Sequence, residues 1–172
     1  SLRIMSMLDF AIKATTEYID RMPKSQRKKY GQFFTSKETA AFMAELFEIP
    51  DKRQTLSILD PGAGSGILSV ALLERLQAFS AIKEIRLVCY ENDPNVMELL
   101  RANLMLGANL EPEKFDFVIG NPPYMKIAKD APEALAMPDV CYGAPNLYFL
   151  FASMSMFNLR DGGEMVYVTE YE

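Results

Sequence analysis

The tetrapeptide Asn-Pro-Pro-Tyr at 121–124 carries more chemical information than any other part of this sequence. It directly follows the apolar run at 115–119, so it is predicted to form a rigid loop at the carboxyl end of a β-strand, where open α/β sheets bind ligands. Both prolines lack a backbone donor, which leaves the Asn121 side chain and nearby carbonyl groups free to meet a planar amide or amine. Tyr124 adds a flat face for stacking on a ring. Taken alone, the tetrapeptide is equally consistent with an ordinary turn.

A glycine-rich loop follows an earlier strand candidate. The apolar run at 56–59 leads into Asp-Pro-Gly-Ala-Gly-Ser-Gly at 60–66 and then into a helical pattern. Glycines at Gly62, Gly64 and Gly66 permit positive φ and a close approach by a ligand, while the helix supplies free amide donors. Dinucleotide folds use G-x-G-x-x-G, and phosphate loops end in Gly-Lys-Ser/Thr. This loop is G-x-G-x-G without a lysine, which favours a nucleoside without phosphates and disfavours a dehydrogenase-like dinucleotide domain.

An acidic residue stands at the end of the next predicted strand. The run at 85–90 leads into Glu91, and an acid at the tip of the second strand of such a fold is placed to bind ribose hydroxyl groups. The glycine-rich loop and Glu91 together predict a nucleoside-binding unit.

Helical periodicity predicts the elements that hold these loops. An amphipathic helix is expected within 4–22, with a core-facing stripe of Leu8, Ala11, Ile12, Ile19 and Met22. Thr35 and Glu38 form a candidate capping box for a second helix that Pro50 would end. Its predicted buried face consists of Phe42, Met43, Leu46 and Phe47. A third helix is expected to begin at 93–94.

Length and composition indicate one globular domain. The chain has 172 residues, of which 49% are hydrophobic and 24% charged, enough to bury a substantial core. Two cysteines show no disulfide framework, and no apolar run is long enough for a membrane span or a signal peptide. These features predict a cytoplasmic protein.

The net charge of −5 argues against a protein that coats nucleic acid. Basic residues nevertheless cluster just before position 31, at Arg21, Lys24, Arg27, Lys28 and Lys29. The cluster is interpreted either as an arm that contacts phosphates or, more simply, as a solvated linker between two helices.

Four stretches, taken in order, resemble the S-adenosyl-L-methionine (AdoMet)-dependent adenine-N6 DNA methyltransferases of restriction-modification systems. They are 30–36, 60–66, 90–94 and 121–124. A further segment, 146–168, looks like the family's next helix, its turn at Asp161-Gly162-Gly163 and its next strand. The resemblance implies a Rossmann-like α/β fold, with a mostly parallel twisted sheet flanked by helices, in an incomplete domain.

The resemblance also implies roles for particular residues. Thr35 would close over the methionine part of AdoMet, Glu91 would hold the ribose, and Asn92 would pack near the adenine of the cofactor. The loop would meet the cofactor through Asp60, Gly62, Gly64 and Gly66. Asn121 and the Pro122 carbonyl would accept hydrogen bonds from the target amine, and Tyr124 would stack on the extruded base.

The residue types suit this chemistry, because the protein mainly needs to align a weak amine with an already activated methyl. No metal or covalent nucleophile is required. There is no histidine, and Cys89 and Cys141 lack a Pro-Cys context, which disfavours a cytosine-C5 mechanism. The expected partners are double-stranded DNA with a flipped adenine and a restriction or specificity subunit.

The match to the family has gaps. Ser36 stands where the family usually has proline, and 169–170 lack a proline that often follows the last strand. Between 107 and 114 there are too few residues for the family's third strand and its adenine-binding acid, so either that contact is lacking or residues are missing there. We therefore expect an N-terminal helix and basic linker over 1–30, and a catalytic domain over 31–172 without its C-terminal part and target-recognition domain.

Other functions remain open from sequence. Methyltransferases that act on ribosomal RNA or on protein glutamine also present a planar nitrogen to Asn-Pro-Pro-Tyr, although the stretch at 31–35 favours DNA. A noncatalytic AdoMet-binding or DNA-binding subunit of a larger complex is the third hypothesis.

Overall fold

The computed structural model describes residues 5–31, 34–91, 114–122, 126, 129–132, 135 and 146–168. Within them the helices are α1 (Met7–Asp20), α2 (Lys24–Gly31), α3 (Lys37–Glu45), α4 (Ile67–Leu76) and α5 (Leu147–Asn158). The strands are β1 (Thr55–Asp60), β2 (Glu84–Cys89), β3 (Phe115–Gly120) and β4 (Leu159–Tyr167). The predictions for Asn92, the helix at 93–94, the missing strand at 107–113, Tyr124, Cys141 and 169–170 lie outside the described residues.

The four strands form one parallel sheet in the order β2-β1-β3-β4. β1 and β3 lie in the centre, and every residue of β3 is buried, as expected for strands covered on both faces. Because the strands are parallel, their carboxyl ends meet at one edge of the sheet. The predicted mostly parallel sheet is therefore confirmed, and the loops after β1, β2 and β3 share that edge.

Alternate residues of the central strands face two separate clusters of apolar side chains. Ile58 and Phe117 belong to a large cluster that also contains side chains from α1, α3 and α4. Leu59 and Val118 face a smaller cluster with residues of β4. Successive side chains of a strand point to opposite faces of the sheet, which explains this division. The buried apolar side chains of α4 belong to the larger cluster.

The first helix is shorter than the periodicity suggests. α1 begins after Ser6, whose side chain accepts a hydrogen bond from the Asp9 amide at 3.1 Å, as Ser does at helix N-caps. Leu8 and Ala11 are buried in the main core and Ile12 packs against it, whereas Ile19 and Met22 are only partly buried. The predicted core role is therefore confirmed for the first three residues of this stripe. None of the helices in the described ranges is long and apolar enough to cross a membrane.

The second predicted helix differs from the structure in its cap, its end and its buried face. Ser36 caps α3 by accepting from the Thr39 amide at 3.2 Å, so the predicted Thr35 capping box is wrong. The helix ends at Glu45, well before Pro50. Its core face has the spacing i, i+3, i+4, i+7, and consists of Ala40, Met43, Ala44 and Phe47. Phe42 and Leu46 therefore point away from the core and are 62% and 52% exposed.

The basic stretch forms α2 and is not an irregular linker. Within it, the Arg27 guanidinium donates to the carbonyl oxygens of Met22 and Asp20, both at 2.8 Å. These carbonyls belong to the end of α1, where cations stabilise the unsatisfied acceptors. The Arg27 side chain therefore links α2 to the end of α1.

The turn predicted at 161–163 is a bulge inside β4. Phe115 pairs with Leu159 whereas Phe117 pairs with Glu164, so extra residues of β4 stand opposite β3, and Gly162 has a φ of 75°. The bulge brings Arg160 into contact with the buried Asp116 carboxylate. Arg53 and the Ser57 amide bind the same carboxylate at 2.7 and 2.8 Å, which ties together the starts of β1, β3 and β4.

Candidate functional site

A small cleft opens at the carboxyl edge of the sheet. Its lining residues are Phe34, Thr35, Gly62, Ala63, Gly64, Ser65, Ile67, Leu68 and Asn121. Ligands of open α/β sheets bind at this edge. The structure therefore brings together four of the residues that the sequence selected, namely Thr35, Gly62, Gly64 and Asn121, while Phe34, Ser65 and the first residues of α4 were missed.

The glycine-rich loop adopts backbone conformations that most side chains cannot. Gly64 has a φ of 56° and Gly66 a φ of 89°, both in the left-handed region that favours glycine. A Cβ on Gly64 would also lie 3.4 Å from the Phe34 ring. Gly62 is outside the positive-φ region, and a Cβ there would make an ordinary 3.6 Å contact with Phe151. The prediction of positive φ is right for two of the three glycines and wrong for Gly62.

The carboxylate of Glu91 reaches the loop from the end of β2. Its Oε2 accepts a hydrogen bond from the Gly64 amide at 2.9 Å, and the Ala63 amide donates to the Tyr90 carbonyl at 2.9 Å. Because β1 and β2 pair along their whole lengths, the residues that follow them lie side by side. Glu91 therefore stands beside the cleft, while its role toward a ribose remains a prediction.

Asp60 is buried beneath the loop and does not line the cleft. Ser69 Oγ donates to its Oδ2 at 2.6 Å, whereas its Oδ1 is buried without a hydrogen-bond partner. Burial raises the pKa of this carboxyl from 3.8 to about 7, against the Ser69 hydrogen bond, which lowers it. A buried carboxylate is costly unless it is fully paired, so the ionised form of Asp60 destabilises the fold.

Asp60→Asn is expected to flatten the pH dependence of the free energy of unfolding between about pH 4 and pH 7. The pKa of the Asp60 carboxyl is higher in the folded state than in the unfolded state. The stability that the protonated carboxyl contributes is therefore fully present below about pH 4 and is lost as the pH rises through about 7. The loss in the native protein should be a few kcal/mol, on the order of one per pH unit. Urea unfolding at several pH values measures it. Asp51 lies at an exposed turn, so Asp51→Asn should show the same change of unfolding free energy with pH as the native protein. If Asp60→Asn also kept that pH dependence, the raised pKa would not belong to Asp60.

Asn121 contacts Thr35 across the mouth of the cleft. Its Nδ2 donates to Thr35 Oγ1 at 3.1 Å, although the two residues are 86 positions apart. An asparagine amide carries its donor and its acceptor on opposite sides, so this contact leaves Oδ1 available to a ligand in the cleft. Pro122 is buried behind it.

Tyr167 packs over the backbone that leads to Asn121. A Cβ on Gly120 would lie 2.5 Å from the Tyr167 ring, so only glycine fits there. The Tyr167 hydroxyl contacts Ser155 and donates to the Phe151 carbonyl at 3.2 Å, and burial raises its pKa to about 12. Tyr167 is therefore a neutral support for the Asn121 loop. A glycine directly before Asn121 was the sequence signal for this contact.

The Cys89 thiol lies in an environment that favours its neutral form. Its thiol lies 3.5 Å from Ser69 Oγ, and burial, followed by the nearby Asp60, raises its pKa above the ordinary value. A reactive cysteine needs the thiolate. The absence of covalent cysteine chemistry stays a prediction.

Comparison with known proteins gives two family matches. The family described as Eco57I restriction-modification methylase matches residues 66–172, and the one described as N-6 DNA Methylase matches residues 15–111. Type II methyltransferase M.PstI of Providencia stuartii is 30% identical over 86% of this chain, and M.BsuBI of Bacillus subtilis is 27% identical over 83%. The chain spans 34% of each of these relatives.

Solved structures share the fold at low sequence identity. A putative class I S-adenosylmethionine-dependent methyltransferase from Listeria monocytogenes superposes with a TM-score of 0.71 at 18% identity, covering 97% of this chain and 55% of the other. A modification subunit of a putative type I restriction enzyme from Vibrio vulnificus has a TM-score of 0.62 at 19% identity, covering 91% and 37%. The fold is therefore the Rossmann-like fold of class I methyltransferases.

Proposed function

Because this chain belongs to the Eco57I restriction-modification methylase and N-6 DNA methylase families, we propose that it carries the AdoMet-binding and catalytic part of an adenine-N6 DNA methyltransferase. The observation that supports this most is the contact between Asn121 and Thr35 at the cleft, 3.1 Å long. It joins the loop expected to hold the target amine to the wall expected to hold the cofactor. The restriction-modification role follows from the same families.

The residues around the cleft fit AdoMet. The ligand carries a positively charged sulfonium and ammonium group, and the Glu91 carboxylate stands beside the cleft, whereas Asp60 is buried beneath the loop. Gly62, Gly64 and Gly66 keep the loop free of side chains that would block a nucleoside. We assign these residues and Thr35 to the cofactor, with Asn92 as a further candidate outside the described residues. When bound, AdoMet supplies a methyl group already activated by the sulfonium.

Asn121 and the Pro122 carbonyl would act on the acceptor amine. The adenine amine is a weak nucleophile, because its lone pair is delocalised into the ring. Two acceptors on its hydrogens favour a more tetrahedral nitrogen whose lone pair points at the methyl, which is preorganised electrostatic stabilisation of the transition state. With Nδ2 held by Thr35, Asn121 Oδ1 is one acceptor and the Pro122 carbonyl the other. Tyr124 would stack on the base.

The DNA substrate would present a base turned out of the duplex, since the amine is otherwise inaccessible inside the base stack. This chain covers about a third of its type II relatives, so we propose that sequence recognition depends on a further domain or a specificity subunit. We assign the catalytic domain to 31–172 and the N-terminal helical part to 1–30. The cytoplasm is the proposed location, because substrate and cofactor occur there.

Transfer of labelled methyl groups tests the proposal. The full protein is incubated with labelled AdoMet and unmethylated DNA, with RNA of mixed sequence in a parallel reaction, and the nucleosides are then separated. N6-methyladenine in DNA is the expected product. A named relative, an rRNA adenine N-6-methyltransferase from Saccharopolyspora erythraea, is 32% identical over 56% of this chain. If only the RNA were labelled, in a protein that binds AdoMet, the substrate would be RNA and not DNA.

A further inference from the structure

A buried threonine of α1 contacts the glycine-rich loop at a different residue from the one that Glu91 binds. The Thr15 hydroxyl is hydrogen-bonded to Ser65 Oγ at 2.8 Å and to the Ala11 carbonyl at 2.7 Å. Thr15 is 3% exposed and Ser65 1% exposed, so water has little access to this pair. Ser65 lines the cleft, between the two positive-φ glycines.

α1 is itself fixed to the element that follows the loop. The Leu8 amide, in the first turn of α1, donates to Glu74 Oε2 on α4 at 2.8 Å. Leu8 and Ala11 pack in the same core cluster as the α4 side chains. The position of Thr15 relative to the loop is therefore set by contacts of the α1 residues that precede it, and the helix cannot shift without breaking buried contacts.

We propose that Thr15 is a positioning residue that holds the glycine-rich loop in its cofactor-binding conformation. Glycine has the most backbone freedom to lose, so a loop with two positive-φ glycines would otherwise have to be ordered when the ligand binds. The hydrogen bonds of Thr15 with Ser65 and of Glu91 with the Gly64 amide impose that order during folding. Pre-ordering reduces the entropy lost on binding and so raises affinity. The identity of the ligand as AdoMet rests on the proposed function.

The neighbouring threonine provides a matched control. Thr16 Oγ1 donates to the Ile12 carbonyl at 2.9 Å, the same bond within α1 that Thr15 makes, but Thr16 is exposed. Thr15→Val and Thr16→Val therefore remove the same hydroxyl from the same helix at nearly constant volume. Only the first variant loses the contact with Ser65. Thr15→Ser keeps the hydroxyl and should restore native behaviour.

Two measurements on the full chain test the inference. Calorimetric titration with AdoMet should give a dissociation constant about fivefold to tenfold higher for Thr15→Val, the effect of one lost buried hydrogen bond, and a native value for Thr16→Val. Hydrogen exchange of residues 62–66 without ligand should be faster in Thr15→Val than in Thr16→Val. If Thr15 only stabilised the fold, Thr15→Val would lower the melting temperature but would change neither the AdoMet dissociation constant nor the hydrogen exchange of residues 62–66.

Failure of the inference and failure of the proposed function give different results. Native AdoMet affinity and native exchange at 62–66 in Thr15→Val would overturn the inference, as would equal effects from Thr16→Val. If the native protein did not bind AdoMet, the proposed function would fail. The exchange rates would still decide whether Thr15 holds the loop.

Discussion

Asn121→Ala is expected to lower the rate constant of methyl transfer by about 10²–10³-fold while leaving AdoMet affinity within about twofold, judging by the loss of a comparable preorganised hydrogen bond in other enzymes. The change removes the Oδ1 acceptor proposed for the target amine. It leaves the glycine-rich loop and its contact with Glu91 intact. Single-turnover transfer to DNA with saturating AdoMet gives the rate, and calorimetry gives the affinity.

Two further variants separate this chemistry from general damage. Asn121→Asp keeps an acceptor oxygen but loses the Nδ2 donor that contacts Thr35, so a partial loss is expected. Asn158→Ala removes an amide that bonds only within α5, to the Met154 carbonyl at 2.8 Å, and should transfer methyl groups normally. Near-native transfer by Asn121→Ala with AdoMet bound would show that Asn121 is not the acceptor.

Glu91→Ala is expected to weaken AdoMet binding by about 10- to 100-fold, corresponding to the loss of a hydrogen bond to a charged group. Two effects act in the same direction. The proposed bond to the ribose disappears, and the Gly64 amide loses the carboxylate that accepts from it at 2.9 Å. Calorimetric titration measures the affinity, and at saturating AdoMet the transfer rate should recover most of its native value.

A glutamate at the other end of β2 serves as the control. Glu84 opens β2 at the opposite edge of the sheet and is exposed beside Arg86, so Glu84→Ala should bind AdoMet as the native protein does. Glu91→Gln keeps an acceptor without the charge and should lie between alanine and native. An unchanged dissociation constant in Glu91→Ala would exclude this residue from the ribose site.

Local patterns predicted much of the fold because they act over a few residues. Short runs rich in apolar residues placed β1, β2 and β3 to within one residue of their observed ends. The reason is clearest for β3, which is buried throughout, since parallel strands covered on both faces are continuously apolar. The glycine-rich loop and the start of α4 were predicted from residue types alone, because few sequences tolerate positive φ. The mostly parallel sheet was implied by the family resemblance, and the structure confirms it.

The errors occurred where local patterns allow more than one answer. Thr35 and Ser36 can both cap a helix, and the choice of Ser36 places Thr35 in the cleft instead. Four apolar residues of α3 could face the core, but its packing on α4 buries Met43 and Phe47 and exposes Phe42 and Leu46. The basic stretch carries no apolar pattern, so nothing in its periodicity indicated the helix α2.

The sequence by itself determined the glycine-rich loop after β1 and predicted the kind of chemistry, because the motifs at 60–66 and 121–124 specify backbone shape and polar groups that short segments encode. Only the tertiary structure decided which groups meet. Thr35 contacts Asn121 over 86 positions and Thr15 contacts Ser65 over 50, and Asp60 lies buried below the cleft it was expected to line. Such contacts depend on how helices pack against the sheet, since burial and partner choice are properties of the assembled core and not of local propensity.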